Sequence, residues 1–594
     1  MKENLKILFS VALLSILIAI SSVFIGVYGY RDGVLLNIFS EWEIFAYNFA
    51  LLFFVLWILT YALKSLRWSF FIVSVLVNSG AFVNYVKIFY RQEPFMARDF
   101  KIVMEAFNMS QKYDLNLNSA NGYIFIGSIV VSFVIFLMLK KVHYRYDHRI
   151  LKVVLPSLVF AFFLKEYVFD SATYKKLGEK SGLSPWVEVE CFQSKGFIYP
   201  FTYSIKNSMP YKYKNFNKRE AQKLYGRYKR EEIPEDKKIN LVVVMLESFK
   251  DFYKLQNEKL QFTSNPYEYF YQLKEEGISG NLLVNSFGGG TFLTETNVIS
   301  GYKHTPIFNR TTQCYPQYFK ENGYETLGFH PYIGSFYNRN NIYPNMGFDE
   351  FYEFDKTFKD LYEYPPMDNL LYYFMNERFN SSKDPKFMFA VTFQNHGPYP
   401  TDKLLYEEPY VLWQEGYDID DYNYFNNYLN GISESSNSLK ILIDNLRASD
   451  EPTLFVAFGD HSPSMGKNNS ISKMFGLNDS NAELEGIYNL YETPYLIWAN
   501  DKCKEVLGRD FLGEGRDLEP IFLMSDVFKY IGYPGSEYNQ YLQDFSKDVS
   551  IMKETFFRIR GEYTHNPSER DKKAIEEFKN FEYYVSNLKI KKAK

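Results

Sequence analysis

Hydrophobic positions are distributed very unevenly along this 594-residue chain. Long uninterrupted apolar runs fall almost entirely before residue 170. Ile7–Tyr30 contains no charged residue, and 46–63, 68–86 and 122–139 are runs of the same kind. Each approaches the roughly 20 apolar residues needed to cross a hydrocarbon core. A fifth segment, 150–169, has a shorter uncharged centre, Val153–Leu164, between Lys152 and Lys165, whose stems can snorkel. Five transmembrane helices are therefore predicted, at 7–30, 46–63, 68–86, 122–139 and 150–169, within an N-terminal domain over residues 1–169. A cleaved signal peptide would not explain the later runs.

Basic residues mark alternate loops. Lys2 and Lys6 precede the first run, Lys64 and Arg67 separate the second from the third, and Lys140, Lys141, Arg145 and Arg149 precede the fifth. The positive-inside rule places these loops in the cytoplasm. Five spans then put everything after about residue 170 outside the cell membrane, whereas four would put it inside. The segment 93–117, with Phe100, Ile102, Val103 and Phe107, reads as an interfacial helix or a plain surface helix. Residues 170–238 read as a linker rich in Tyr and Lys, in which 196–209 lies against the bilayer.

From 239 the pattern changes. INLVVVML (239–246), PKFMFAVTF (385–393), PTLFVAFGD (452–460) and TPYLIWAN (493–500) are short, continuous apolar runs. This is the signature of strands buried on both faces. Helical patterns lie over 221–232, 368–379 and 427–446. Strands alternating with helices predict an extracellular α/β domain over 239–560, with a central sheet flanked by helices. A charged helix and tail follow over 561–594. No internal repeat is apparent.

Composition changes this picture only by exclusion. The formal net charge of −4 gives no basic footprint, so no nucleic-acid partner is expected. Three scattered cysteines supply neither a disulfide framework nor a thiolate metal site.

The chemistry collects where the apolar runs end, which is where ligands bind in open α/β sheets. Glu247 follows the first strand, Asn395 and His396 follow the second, and Asp460 and His461 follow the third. Each has an ordinary explanation alone, such as a helix-start charge or a turn histidine. Together they are hard to explain by packing, and Glu247, Asp460 and His461 offer two carboxylates and one imidazole, an oxygen-rich set suited to Mn²⁺, Mg²⁺ or Zn²⁺. In FGGGTFLTE (287–295), three glycines allow a tight turn into Thr291 at the start of a helix. Thr291 would complete the metal set, and a divalent ion would lower the pKa of its hydroxyl enough for attack. The competing reading is a plain N-cap threonine. In the aromatic stretch 328–351, Arg339 has the donors to clamp a phosphate, and His330, Tyr332 and Tyr337 could contact a small polar headgroup. Alternatively Arg339 pairs with Asp349 or Glu350.

An apolar strand ending in LES, Gly-Gly-Thr followed by TE, HPY…SFYNR, NHGPY and GDH occur here in that order. This set resembles the lipoteichoic acid synthase and phosphoglycerol transferase family of the alkaline phosphatase/sulfatase superfamily. The resemblance implies an alkaline phosphatase/sulfatase-like fold and a multi-pass bacterial membrane protein with its catalytic domain outside. It implies Thr291 as a Mn²⁺-bound nucleophile, and Glu247, Asp460 and His461 as further metal ligands. His396 would contact the phosphate and protonate the leaving alcohol, with Arg339, Tyr337 and His330 as substrate contacts. Where some members carry an acid two positions after that histidine, this chain has Tyr332. The implied donor is phosphatidylglycerol, and the acceptor a teichoic acid, glycolipid or cell-wall glycan. Phosphoethanolamine transfer and phosphodiester hydrolysis are alternatives. The Cys/Ser-x-Pro-x-Arg context that sulfatases need at the nucleophile position is replaced by TFLTE. A non-enzymatic envelope assembly protein would be expected to have lost a ligand or the nucleophile, and neither is missing.

Overall fold

A computed structural model describes residues 2–26, 38, 41–91, 94–97, 99, 117–139, 148–181, 183, 188–208, 212–332, 334, 336–359, 367–466, 469–480, 483–553 and 556–590. The predicted helix at 93–117 and most of the basic loop 140–149 lie largely outside these residues. The chain divides into two compact units, Met1–Pro210 and Tyr211–Lys594.

The first unit is helical. Its helices include α1 (Lys2–Gly26), α2 (Trp42–Leu63), α3 (Leu66–Arg91), α4 (Ala120–Leu139) and α5 (Arg149–Phe163). Among the described residues four helices are long and apolar enough to cross a membrane: Leu5–Gly26, Trp42–Leu63, Leu66–Phe89 and Ala120–Leu139. The fifth predicted span differs. It is helical, but its regular α-helix has 15 residues, contains Pro156, and passes into a π-helical turn over Leu164–Val168. The charges at Lys152, Lys165 and Glu166 shorten its apolar run, and the proline removes an internal backbone donor.

Buried polar contacts join these helices where water cannot satisfy backbone and hydroxyl groups. Ser74 and Ser132 hydroxyls meet at 2.6 Å, Ser21 donates to Asn78 at 2.8 Å, and Asn84 donates to the Gly26 carbonyl at 3.0 Å. The stretch 196–209 contributes a helix over Ile198–Ser208, whose first turn is held where Tyr199 N donates to Asn48 Oδ1.

The second unit is built on an eight-stranded sheet. The strands are β1 (Asn240–Leu246), β2 (Ile278–Leu283), β3 (Glu325–His330), β4 (Glu350–Glu353), β5 (Lys386–Val391), β6 (Thr453–Gly459), β7 (Glu492–Ala499) and β8 (Gly513–Glu514). Their order is β4-β3-β5-β1-β6-β7-β2-β8. The pairs from β4 through β6 are all parallel. β7 runs antiparallel to both β6 and β2, so the sheet is mixed.

Apolar runs located β1, β5, β6 and β7, because each has a continuous apolar centre behind one or two polar residues at its start. They missed β3, whose sequence ETLGFH breaks the run with threonine and glycine, and they missed β2 and the short edge strands. The second unit also contains α6 (Thr291–Ser300), α7 (Arg339–Met346), α8 (Asp368–Phe379) and α9 (Ile419–Ala448). The helix predicted at 427–446 begins a full two turns earlier, at an Asp418 cap that accepts from Asp420 N and Asp421 N. The one predicted at 221–232 covers Lys218–Tyr225 and ends at Gly226.

Continuous apolar strands make sense because both faces of the sheet are covered. On β1, Leu241, Val243 and Met245 join a core that includes Phe319, Phe387, Phe389 and Phe528. Val242, Val244 and Leu246 join the opposite core with Leu439, Leu442 and Ile443 of α9. A strand so enclosed cannot slip in register without displacing both layers. Phe389 is central and 1% exposed. Phe389→Ala is expected to cost about 3–5 kcal/mol. The check is thermal or denaturant unfolding of the detergent-solubilised chain.

Candidate active site

The four contiguous parallel strands β3, β5, β1 and β6 end side by side, and the chemistry sits on those ends. β1 delivers Glu247, β6 delivers Asp460 and His461, β5 leads through Thr392 to His396, and β3 ends in His330. Backbone contacts lock the ends together. Glu247 N donates to Thr392 Oγ at 2.9 Å, and Asp460 N donates to the Leu246 carbonyl at 3.1 Å.

Thr291 arrives from a different direction, as the first residue of α6. Gly288, Gly289 and Gly290 all have positive φ (66°, 141° and 96°), a path that side chains rarely take. The cap is Gly290 rather than Thr291, so the threonine hydroxyl is not spent on capping. Gly288 N bonds to the Ser462 carbonyl at 2.9 Å, and Thr294 Oγ donates to the Asp460 carbonyl at 2.7 Å. The glycine turn is thereby fastened to the loop that carries Asp460 and His461.

Glu247, Asp460 and His461 offer one ligand atom each within 4.8 Å of one another, all buried. Thr291 Oγ lies 3.2 Å from His461 Nε2 and 3.4 Å from Glu247 Oε2. His461 Nδ1 sits 2.9 Å from the Ser462 carbonyl, so the proton belongs on Nδ1 and Nε2 presents its lone pair to the cluster. Asp460 Oδ1 accepts from Ser248 N (2.8 Å) and His461 N (2.7 Å). Its Oδ2 is buried without a hydrogen-bond partner and lies 3.2 Å from His461 Nε2. Burial and the charge of Asp460 push the Glu247 carboxyl up to about 8. Two adjacent buried carboxylates, an orphan oxygen and an aimed imidazole are what a divalent cation would relieve, so these residues fit a metal. Ser248 holds φ at 51°, an uncommon conformation for a non-glycine residue that this cluster maintains.

The remaining predicted residues converge from β3, β5 and the loop before α7. Arg339 is 1% exposed. Its partner is Glu295, not Asp349 or Glu350: Nε lies 3.1 Å from both Glu295 oxygens and Nη2 2.6 Å from Oε2. Asp349 pairs with Lys320 instead. Tyr343 also donates to Glu295, at 2.8 Å. Arg339 Cζ lies 5.2 Å from the Tyr337 ring, which stacks on Phe292 at 5.2 Å.

His330 is buried, with Nδ1 3.0 Å from the Val391 carbonyl. Burial, then the charge of Arg339, hold its imidazole well below the usual range, so it stays neutral. His396 is exposed, with Nδ1 2.7 Å from the Gly397 carbonyl and its ring stacked on Phe393 at 5.0 Å. Tyr332 stacks on the same Phe393 at 4.3 Å.

Sequence reasoning missed two supports. Glu295 lies four residues after Thr291, on the same helical face, a spacing that could have revealed it. Asp368, whose Oδ2 accepts from Ser435 Oγ at 2.8 Å, also faces the backbone N–H groups of Phe393 and Gln394, just before His396. No local sequence pattern links residues so far apart.

A buried carboxylate–histidine cluster lies beside a helix-borne threonine at the ends of parallel strands, an arrangement that fits a divalent metal next to a hydroxyl. Residues 239–522 match the family model described as Sulfatase. The match falls wholly within the second unit and is in line with the superfamily that the motifs resemble. Among curated proteins, the chain is 28% identical over 328 residues to a Rhizobium meliloti (strain 1021) protein named for cyclic beta-1,2-glucan modification, covering 51% of this chain and 47% of that protein. It is 26% identical over 213 residues to the capsular polysaccharide biosynthesis protein RkpI of the same organism, covering 32% of this chain and 36% of that one. The chain thus spans about half or less of the length of these relatives. Among solved structures, phosphoglycerol transferase GacH of Streptococcus pyogenes aligns at 17% identity and TM-score 0.49, over 64% of this chain and 95% of that one. Lipoteichoic acid synthase LtaP of Listeria monocytogenes aligns at 19% and 0.44, over 63% and 99%. Phosphoethanolamine transferase EptA of Neisseria meningitidis aligns at 13% and 0.41, over 88% and 95%.

Metal affinity should follow the protonation of Glu247. A carboxyl raised to about 8 holds its proton at neutral pH and yields it only as pH rises through that value. A cation must displace that proton, so Mn²⁺ affinity is expected to rise about tenfold per pH unit up to about pH 8 and then level off. Glu247→Gln should flatten the profile. Mn²⁺ titration followed by electron paramagnetic resonance between pH 6 and pH 9 checks both.

Proposed function

We propose that this protein is a membrane-anchored transferase that moves the phosphoglycerol headgroup of phosphatidylglycerol onto an envelope acceptor through a covalent threonine intermediate. The observation that carries the reading is Thr291 Oγ, freed from capping and held 3.2 Å from His461 Nε2 beside Glu247. Glu247, Thr291, Asp460 and His461 would hold the ion, for which Mn²⁺ is the proposed identity. Bound there, it would supply Lewis acidity that favours the threonine alkoxide.

In the first step Thr291 Oγ bonds to phosphorus as the phosphorus–diacylglycerol oxygen bond breaks, and His396 gives its proton to the departing alcohol. In the second, an acceptor hydroxyl attacks phosphorus, His396 takes that proton, and the bond to Thr291 Oγ breaks. Exposure of His396 suits a group that must meet both leaving alcohol and entering acceptor. Neutral His330, Tyr337 and Arg339 are the proposed headgroup and phosphate contacts.

The acceptor is proposed to be an envelope teichoic acid, glycolipid or glycan, and the name of the glucan-modification relative favours a glycan. The catalytic unit is placed outside the cell membrane, where lipid donors are at hand. Helical structure from Arg149 through Val168 supports a fifth crossing, because twenty helical residues extend about 30 Å. Lipoteichoic acid itself remains one acceptor of this class.

With Mn²⁺ and fluorescent phosphatidylglycerol, the full chain in detergent is expected to release diacylglycerol. Thr291→Ala should lower the rate by at least about a thousandfold, and EDTA should abolish it. Release from phosphatidylethanolamine alone would replace the donor assignment with phosphoethanolamine transfer. Undiminished release by Thr291→Ala would remove the threonine from the reaction.

A further inference from the structure

The mechanism above uses Arg339 but leaves its buried partner unexplained. Side-chain exposure is 1% for Arg339 and 0% for Glu295. Glu295 takes the guanidinium side-on, through Nε and Nη2, and its Oε1 also accepts from Tyr343. Nη1 is the remaining terminal nitrogen. It is buried and has no hydrogen-bond partner among the described residues. A buried donor left unpaired costs about 1–3 kcal/mol, so an arrangement that keeps one open points to a ligand acceptor.

The placement is tied to the nucleophile. Thr291 and Glu295 are one helical turn apart on α6, so the helix that carries the hydroxyl also fixes the guanidinium. Tyr337 and Asn338, immediately before Arg339, both hold positive φ (55° and 60°). For a tyrosine this conformation is rare, and here it turns the chain into α7.

The charge balance matters as much as the geometry. An unpaired buried arginine would carry a full positive charge in a poorly screened site and would favour dianions. Paired with Glu295, it offers N–H donors with no net charge. A phosphodiester brings one negative charge and two non-bridging oxygens, whereas a phosphomonoester at neutral pH or above brings about two charges and three oxygens.

We infer that Glu295 is a specificity-determining and positioning residue: by neutralising Arg339 and leaving only its Nη1 edge open, it selects phosphodiester monoanions over phosphomonoester dianions. The inference rests on the assignment of Thr291 and Arg339 to the phosphorus-transfer site, but not on the glycerol headgroup.

The test uses the full chain in detergent with Mn²⁺ at pH 8. Binding of dimethyl phosphate, a monoanion, and of inorganic phosphate, chiefly a dianion, is measured by phosphorus NMR relaxation. The wild type should bind dimethyl phosphate at least as tightly as inorganic phosphate. Glu295→Gln, which removes the charge, should shift the ratio at least tenfold toward inorganic phosphate. Glu295→Asp, which keeps the charge, should hold the ratio near the wild-type value even if both affinities fall. A wild type that prefers inorganic phosphate tenfold, or a Glu295→Gln protein in which both anions change by one common factor, overturns the inference. If Glu295→Gln does not fold, as judged by its thermal transition, the wild-type and Glu295→Asp ratios decide. A wild type that selects the diester yet releases nothing from phosphatidylglycerol would overturn the donor reading and leave the role of Glu295 standing.

Discussion

The catalytic unit depends on the burial of Glu247 and Asp460 next to each other. Burial, and then the charge of Asp460, push the Glu247 carboxyl upward. The surrounding structure offsets part of this cost. Two backbone N–H groups, from Ser248 and His461, fix one oxygen of Asp460, while the other accepts no hydrogen bond and lies 3.2 Å from His461 Nε2. The arrangement fits a divalent cation, and Thr291 is held at its edge.

A second buried charge pair mirrors the first with opposite logic. Arg339 and Glu295 are mutually satisfied except at one nitrogen, so the pair offers a polarised but neutral donor. α6 joins the two, because its first residue faces the cluster and its fifth holds the arginine. In the proposed reaction, the spacing along one helical turn would keep nucleophile and phosphate clamp in step, which catalysis by positioning requires.

Much of this was legible in the chain. The strands β1, β5 and β6 announced themselves because enclosure on both faces demands apolar side chains at every position. Once they were located, Glu247, His396, Asp460 and His461 stood out as groups that packing does not need. Thr291 stood out for a related reason: three consecutive glycines serve the backbone path, and so mark what they deliver. β3 was hidden because it buries Thr326 and Gly328, which carry no hydrophobic signal. The fifth membrane segment was read as a span from composition, although Pro156 and its flanking charges leave a shorter regular helix.

What the sequence determined by itself was the apolar, helical N-terminal unit, the α/β class of the second unit, and the residue types of the carboxylate–histidine cluster. These follow from local patterning, since apolar length and strand-end chemistry are written contiguously. Only the tertiary structure decided which partner each group takes. Arg339 had acidic neighbours at Asp349 and Glu350, yet Asp349 went to Lys320 and Arg339 to Glu295, 44 positions earlier. Sequence proximity does not set such pairings. They are set by which carboxylate the packed helix leaves buried and unneutralised, and a buried charge takes the partner that desolvation leaves within reach.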